Sequence, residues 1–483
     1  PDDAQTTLFL YWRRWLENSV TSLPTISREL AFLPADTRIP DHTIWQHNAM
    51  ASALAGCAVN GKLQPALLLF QLGGVQEFIS QARSTRDLWS GSYLLSWLMA
   101  HAMKAVSDQV GADAVVFPNL RGNGIFDALH RESIYEKKMF ISQDKRQESL
   151  WQRMLAEKNN VVNKLSADQA NPATQWLTTP TLPNRFLAVV PADRAESLAQ
   201  AAANALKQEL KTIGDAVWEW LAKEAADFGS PGIDNWKQRW DAQIQAFPQI
   251  SWAVQPWLER EECLSELEAL PINRKGDGDK TPTPLETLQN TLLLAEEWLD
   301  EDDRDARYYL DKAKTRLSNS GIFWSAHYAL VDARLAARRN TRDFQAWENP
   351  WPEASVKDSL SGKEEIIGDE EFWKKMIEKY GRLRDGDSNA EAAAGQDTLL
   401  FTAQEHKYGA MNLIKRLWCR EDQVPYLRER LGLDAKNFRL GMGFDSVQEI
   451  AERNLNRGAY VAVLAMDGDE MGKWVSGDKA PPL

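Results

Sequence analysis

Apolar residues recur at helical spacing through "LFLYWRRWLENSV" and again through "TIWQHNAMASALAGCAV". The first 64 residues therefore read as helical, with the turn-like "PADTRIPDH" between these runs. The pattern then changes to a continuous apolar run, "ALLLFQL", which predicts a buried strand. Gly73 and Gly74 supply a turn, and a long amphipathic helix follows. "DAVVFPNL" and "RFLAVVP" predict two more strands, "ADRAESLAQAAANALKQEL" a helix, and "ISWAVQPW" a last strand. With a helical insertion set aside, the order is strand, helix, two strands, helix, strand, the split βαβ order of ferredoxin-like domains.

From about 256 to 455 the pattern is mostly helical, as in "PLETLQNTLLLAEEWLD", "FWSAHYALVDARLAARR", "EEFWKKMIEKYGRL" and "HKYGAMNLIKRLW". "RKGDGDKTPT" and "RDGDSNAEAAAGQDT" read as loops or disordered segments. "YVAVLAMD" then predicts another buried strand, with "GDEMGKWV" as a turn and helix start. The expected fold class is α+β. A helical segment over 1–64 precedes a ferredoxin-like domain over 65–255, a helical domain over 256–455 and a further strand–turn unit opening at 456–483.

Composition narrows the class. The 483 residues are 43% hydrophobic and 26% charged, ordinary for a soluble protein, and no apolar run is long enough for a transmembrane helix. No membrane partner is expected. Cys57, Cys263 and Cys419 are far apart and odd in number, which predicts neither a disulfide framework nor a CxxC zinc site. Such usage fits a reducing compartment, so a cytoplasmic location is expected. A net charge of −13 argues against non-specific nucleic-acid binding by the chain as a whole. The basic stretch "DARLAARRNTRDF" reads either as a local patch or as a solvated helix face. The first residue is Pro1, and no signal-peptide pattern follows it. The expectation is that both ends lie inside a longer protein.

Candidate chemistry sits at the end of the last predicted strand. Asp467 closes the apolar run and Asp469 follows two residues on. Alternate strand residues point the same way, so two carboxylates at that spacing offer the hard oxygen ligands that Mg²⁺ or Mn²⁺ prefers. Gly468 permits close approach of backbone to an ion or triphosphate, and Gly472 stands near a helix start suited to phosphates. Aspartate and glycine also favour plain turns, and spacing alone leaves both readings open.

Three stretches together resemble the large subunit of type III CRISPR effector complexes, particularly its Cmr-type branch. They are "LFQLGGVQEFISQARSTRDLWSGSYLLSWL", "VVFPNLRGNGIFD" with "LPNRFLAVVP", and "VAVLAMDGDEMGKWVSG". With "KYGAMNLIKRLW" the similarity runs from about residue 33 to 483. The resemblance implies an HD-type nuclease domain, a first palm, a helical domain and a second palm. It implies synthesis of cyclic oligoadenylate from ATP when the complex, with its other subunits and guide RNA, binds target RNA. Asp467 and Asp469 match the metal-binding positions of the second palm. Gly91 and Ser92 match a stretch of the first palm that faces the nucleotide, although a helix-packing small pair reads equally well. Asp41 and His47 fall where remnants of HD metal ligation are expected, against the plainer reading of a capping Asp and a packed or exposed His.

Departures from the family pattern matter. No GGDD occurs in these residues, and "SVKDSLSGKEEI", in the region where relatives often carry a zinc site, has no cysteine. No zinc is expected there, and no DNase activity, since "DH" at Asp41-His42 reverses the HD doublet. Two functions compete: a metal-dependent nucleotidyltransferase subunit, and an inactive subunit scaffolding the guide-RNA complex. A one-palm dinucleotide cyclase fits less well, because it has no use for the VQEFI–TRDLWSGSYLLS block.

Overall fold

The computed structural model describes residues 3–22, 32–35, 42–82, 84–141, 147–162, 172–270, 286, 323–341, 356–380, 401 and 406–441. Helices α1 (Ala4–Ser22) and α2 (Ile44–Ala55) come first. Thr43 caps α2 by a reciprocal capping box with Gln46. Strand β1 (Pro65–Leu72) leads through α3 (Val75–Ser80) and α4 (Thr85–Val110) to β2 (Val115–Phe117). Helices α5 (Gly124–Leu129), α6 (Leu150–Val162) and α7 (Pro172–Thr178) form an insertion before β3 (Arg185–Pro191). Helices α8 (Ala195–Asp227) and α9 (Ile233–Ala246) lead to β4 (Ile250–Pro256). Beyond it lie α10 (Arg260–Glu268), α11 (Trp324–Asn340), α12 (Glu370–Tyr380), α13 (Ala410–Leu417), α14 (Tyr426–Leu431) and α15 (Ala435–Gly441). No described helix is long and apolar enough to cross a membrane.

The sheet runs β2–β3–β1–β4 with every neighbouring pair antiparallel. In sequence terms this is 2-3-1-4, the order of a split βαβ unit. Register follows from side-chain alternation. Ala66, Leu68, Phe70 and Leu72 join the large core with α4 and α8, while Leu67 and Leu69 face the opposite side. Phe70 lies across from Phe186, their rings stacked at 5.0 Å, a cross-strand pair of the kind that stabilises sheets. The second face is closed by Ala53 of α2 and by Val331 and Leu335 of α11. A strand covered on both sides reads as an unbroken apolar run, which is why "ALLLFQL" lacks alternation. The turn after β1 needs glycine twice. Gly74 has φ 73°, and a side chain at Gly73 would press on Gln249 at 3.3 Å.

The large core does not stop at residue 256. Ile367, Phe372, Trp373, Met376, Leu413, Ile414, Leu417 and Trp418 are buried in the same cluster as the residues on α4 and α8. The basic stretch on α11 is a solvated face. Arg334 pairs with Glu266 at 2.7 Å and Arg338 lies 4.2 Å from the Trp252 ring centre.

Helix α1 is fastened to the insertion by charge. The Arg13 Nε and Nη2 groups donate to Asp127 of α5 at 2.9 and 2.6 Å, and the Tyr135 hydroxyl donates to the same carboxylate at 2.7 Å. Arg13 and Asp127 are both fully buried. Removing one partner of such a pair strands the other without water. The Arg13→Ala variant should therefore lose about 3–5 kcal/mol in urea denaturation. An Arg13→Met, Asp127→Leu, Tyr135→Phe triple variant should recover most of that loss, and a triple variant as unstable as Arg13→Ala would disprove the charge-based account.

Candidate functional site

Of the residues expected to carry chemistry, Asp467, Gly468, Asp469 and Gly472 lie outside the described residues, as does Asp41. His47 is described and exposed on the first turn of α2. Its Nδ1 lies 3.5 Å from His42 Nε2, with the two rings stacked. Gly91 is buried on α4 between Phe78 and Lys415, where an added Cβ would come 3.0 Å from the Lys415 side chain. Its neighbour Ser92 donates to the Leu88 carbonyl at 3.0 Å, a bond within its own helix. The structure thus places Gly91 at a helix-packing contact.

That contact belongs to a polar junction where the "VQEFISQARSTRDLWSGS" and "KYGAMNLIKRLW" stretches meet. All eight residues of α13 are buried, including Asn412, Lys415 and Arg416. A helix buried all round must find a partner for every polar side chain it carries. Arg416 Nη2 lies 2.6 Å from Asp87 Oδ2 in the first turn of α4, where Ser84 is the N-cap. A carboxylate there also suits the positive end of the helix. Lys415 Nζ donates to the carbonyls of Phe78 and Gln81 at 2.7 and 2.6 Å. Burial pulls the Lys415 amine down to about 8. Trp418 Nε1 donates to Ser90 Oγ at 2.9 Å.

The start of α13 is capped from elsewhere in the chain. Asp358 accepts from the backbone N–H groups of Leu360, Ser361 and Gly409 and from the Asn412 amide, at 2.7 to 3.0 Å. Gln243 accepts from Ala410 N–H at 2.7 Å. Glu364 meets the Met411 backbone N–H, yet its carboxyl is raised to about 7, first by burial and then by the charges of Asp358 and Glu365. These polar groups are spent on other parts of the protein, so the junction is an organising centre for the fold. The buried His327 of α11 is likewise occupied. Its Nδ1 lies 2.8 Å from the Phe323 carbonyl and its Nε2 accepts from Leu258 N–H at 2.8 Å.

Comparison with known proteins bears on what this centre belongs to. The family described as "CRISPR-associated protein Cmr2, N-terminal" matches residues 67–215, which span β1 through most of α8. Residues 67–215 are thus similar to the N-terminal domain of the Cmr2 family. Relatives named as Cmr subunit Cmr2 are 41% identical over 100 residues in Pyrococcus furiosus and 34% identical over 113 residues in Saccharolobus solfataricus. Those matches cover 21% and 23% of this chain and 11% of each relative. Among solved structures, the apo Type III-B Cmr-beta complex matches with a TM-score of 0.50 at 16% identity, over 93% of this chain and 41% of that one. The form bound to cognate target RNA matches with a TM-score of 0.54 at 14% identity, over 93% and 42%. At these identities the structural likeness speaks for the fold.

Within the matched residues, composition and spacing gave no hint of Asp87, and the same holds for Lys415 and Arg416 beyond them. "HKYGAMNLIKRLW" reads only as helical, and polar side chains such as those at 412, 415 and 416 ordinarily face water, whereas here tertiary packing buries them. The one usable signal was that both stretches belong to the blocks carrying the family resemblance.

The raised Glu364 carboxyl has a consequence for stability. Its folded value, about 7, lies above the ordinary glutamate value of 4.5. Below pH 4.5 it is protonated folded or unfolded and imposes no penalty. As pH rises through 7 the buried charge destabilises the fold, by up to about 3 kcal/mol. Glu364→Gln should therefore melt higher than the parent at pH 8, by an amount that shrinks to nothing near pH 4.5. A melting difference that does not change with pH would show that the carboxyl is not the cause.

Proposed function

We propose that this chain is part of the large subunit of a type III-B CRISPR effector complex, and that the split βαβ unit is the first of two palms. In this reading α1 and α2 are the remnant of an HD-type domain. The strand–turn opening at 456–483 begins the second palm, which makes cyclic oligoadenylate from ATP on target-RNA binding. Asp467 and Asp469 hold Mg²⁺ or Mn²⁺ through hard carboxylate oxygens, the donor set such ions prefer. The bound ion supplies activation of the attacking hydroxyl and stabilisation of the departing pyrophosphate. Other Cmr-type subunits, the guide RNA and the target RNA are the partners, in the cytoplasm, and no zinc is required.

The observation that carries this reading is "YVAVLAMDGDEMGKWV" following a Cmr2 N-terminal domain. An acidic strand end alone is an ordinary turn signal. A second reading, an inactive scaffold subunit, draws on the junction, where residues from the resembling blocks are spent on packing.

The test is an assembled complex given ATP, Mg²⁺ and cognate RNA. Adenylate oligomers should form, and Asp467→Ala should lower their yield at least about a hundredfold while RNA binding is retained. Chelation of the divalent ion should stop the reaction. Parental yield from Asp467→Ala removes the metal assignment, and no product from the parent complex favours the scaffold.

A further inference from the structure

Helices α1 and α2 leave a cleft of about 320 Å³ between them and the turn before β2. Its walls include Tyr11, Trp12 and Trp15 of α1 and Trp45 of α2, and Asp113 and Arg121 also line it. Two of the rings are open to solvent, Tyr11 at 57% and Trp15 at 47% exposure, and they lie 5.0 Å apart between centres. Asp113 is the contrast. It is 6% exposed, yet among the described residues its carboxylate makes no hydrogen bond or ion pair. Its charge is felt locally, since it adds to burial in pushing the Cys57 thiol up to about 11.

With no partner in the described residues, the Asp113 carboxylate is left open to the cleft it lines. The walls specify the partner's chemistry. Aromatic faces carry negative charge density and attract cations. The protein already shows this here, with the Arg121 guanidinium 5.4 Å from the centre of the Trp12 ring. A guanidinium is flat enough to stack, weakly hydrated, and able to fork onto a carboxylate, whereas an ammonium gains less from a flat wall. We propose that the α1–α2 cleft binds a small organic cation bearing a guanidinium group, stacked on Tyr11 and Trp15 with Asp113 as its counter-charge. This inference does not depend on the nucleotidyltransferase reading.

The alternative occupant is an aromatic anion such as a nucleotide, which would take Arg121 as its clamp and be repelled by Asp113. Two variants give opposite signs for the two occupants. Calorimetric titration of the full chain with agmatine should give saturable binding with a Kd of about 1 mM or tighter. Asp113→Asn should weaken it at least about tenfold, because a charge-assisted hydrogen bond is lost. Trp15→Ala, a surface change that leaves the fold alone, should weaken it roughly fivefold. Arg121→Gln should leave agmatine binding unchanged or tighter by removing a like charge. The proposal is overturned if agmatine gives no saturable heat by about 20 mM, far above the affinity these contacts supply. It is also overturned if Asp113→Asn, or Trp15→Ala alone, binds agmatine as the parent does. AMP binding that Arg121→Gln abolishes and Asp113→Asn strengthens would assign the cleft to an anion instead.

Discussion

The buried ion pair between Arg416 and Asp87 joins residues 329 positions apart, and the arrangement around α13 depends on it. With every residue of α13 buried, a rotation or a one-residue slip would leave Asn412, Lys415 and Arg416 facing apolar groups. The penalty for an unpaired buried charge, several kcal/mol, exceeds what any single apolar contact returns. Polar pairing therefore sets the register, and the apolar residues Leu413, Ile414, Leu417 and Trp418 fill the core once it is set. The pair contributes specificity more than net stability. Such contacts also span most of the chain, and loop closure of that length is slow to form by its nature.

Asp358 solves a related problem by different means. The loop around it must hold to the start of α13 without a cross-link, because "SVKDSLSGKEEI" has no cysteine. One carboxylate accepting four N–H bonds, two from its own loop and two from the region of α13, ties the segments together. Charge-assisted hydrogen bonds are directional enough to fix the loop and also satisfy orphan donors at the helix start. A Cβ added at Gly409 would come 2.8 Å from Glu364 Oε2 and 3.1 Å from Gln243 Oε1, so a side chain there would displace these two groups.

How much was legible follows from which forces were local. "RFLAVVP" became a strand over its full length, Arg185–Pro191, because its apolar run and flanking turns are sequence signals. "FWSAHYALVDARLAARR" became Trp324–Asn340, with its charges solvated and Val331 and Leu335 on the sheet. The split βαβ strand order was legible for the same reason. What stayed hidden was long-range pairing: Arg13 with Asp127, Arg416 with Asp87, and Glu209 receiving both Trp97 of α4 and Tyr426 of α14. No periodicity marks a polar residue as buried, since its partner lies a hundred or more positions away. The capping of α2 shows the same limit at short range: Thr43 serves, although the preceding Asp-His pair drew attention first.

The described sheet also bears on where metal chemistry can arise. An acidic pair at a strand end needs carboxylates where β1 ends and turns, and here those residues are Gln71 and Leu72 of the strand and Gly73 and Gly74 of the turn. A completing hairpin needs β2 and β3 joined by a tight turn, whereas residues 118–184 between them carry α5, α6 and α7. Neither ingredient of a two-carboxylate centre is present in this described unit: glycines let the backbone turn beside Gln249, and an insertion separates β2 from β3. On the reading proposed above, "VAVLAMDGD" supplies the first ingredient, with Asp467 at the end of its apolar run.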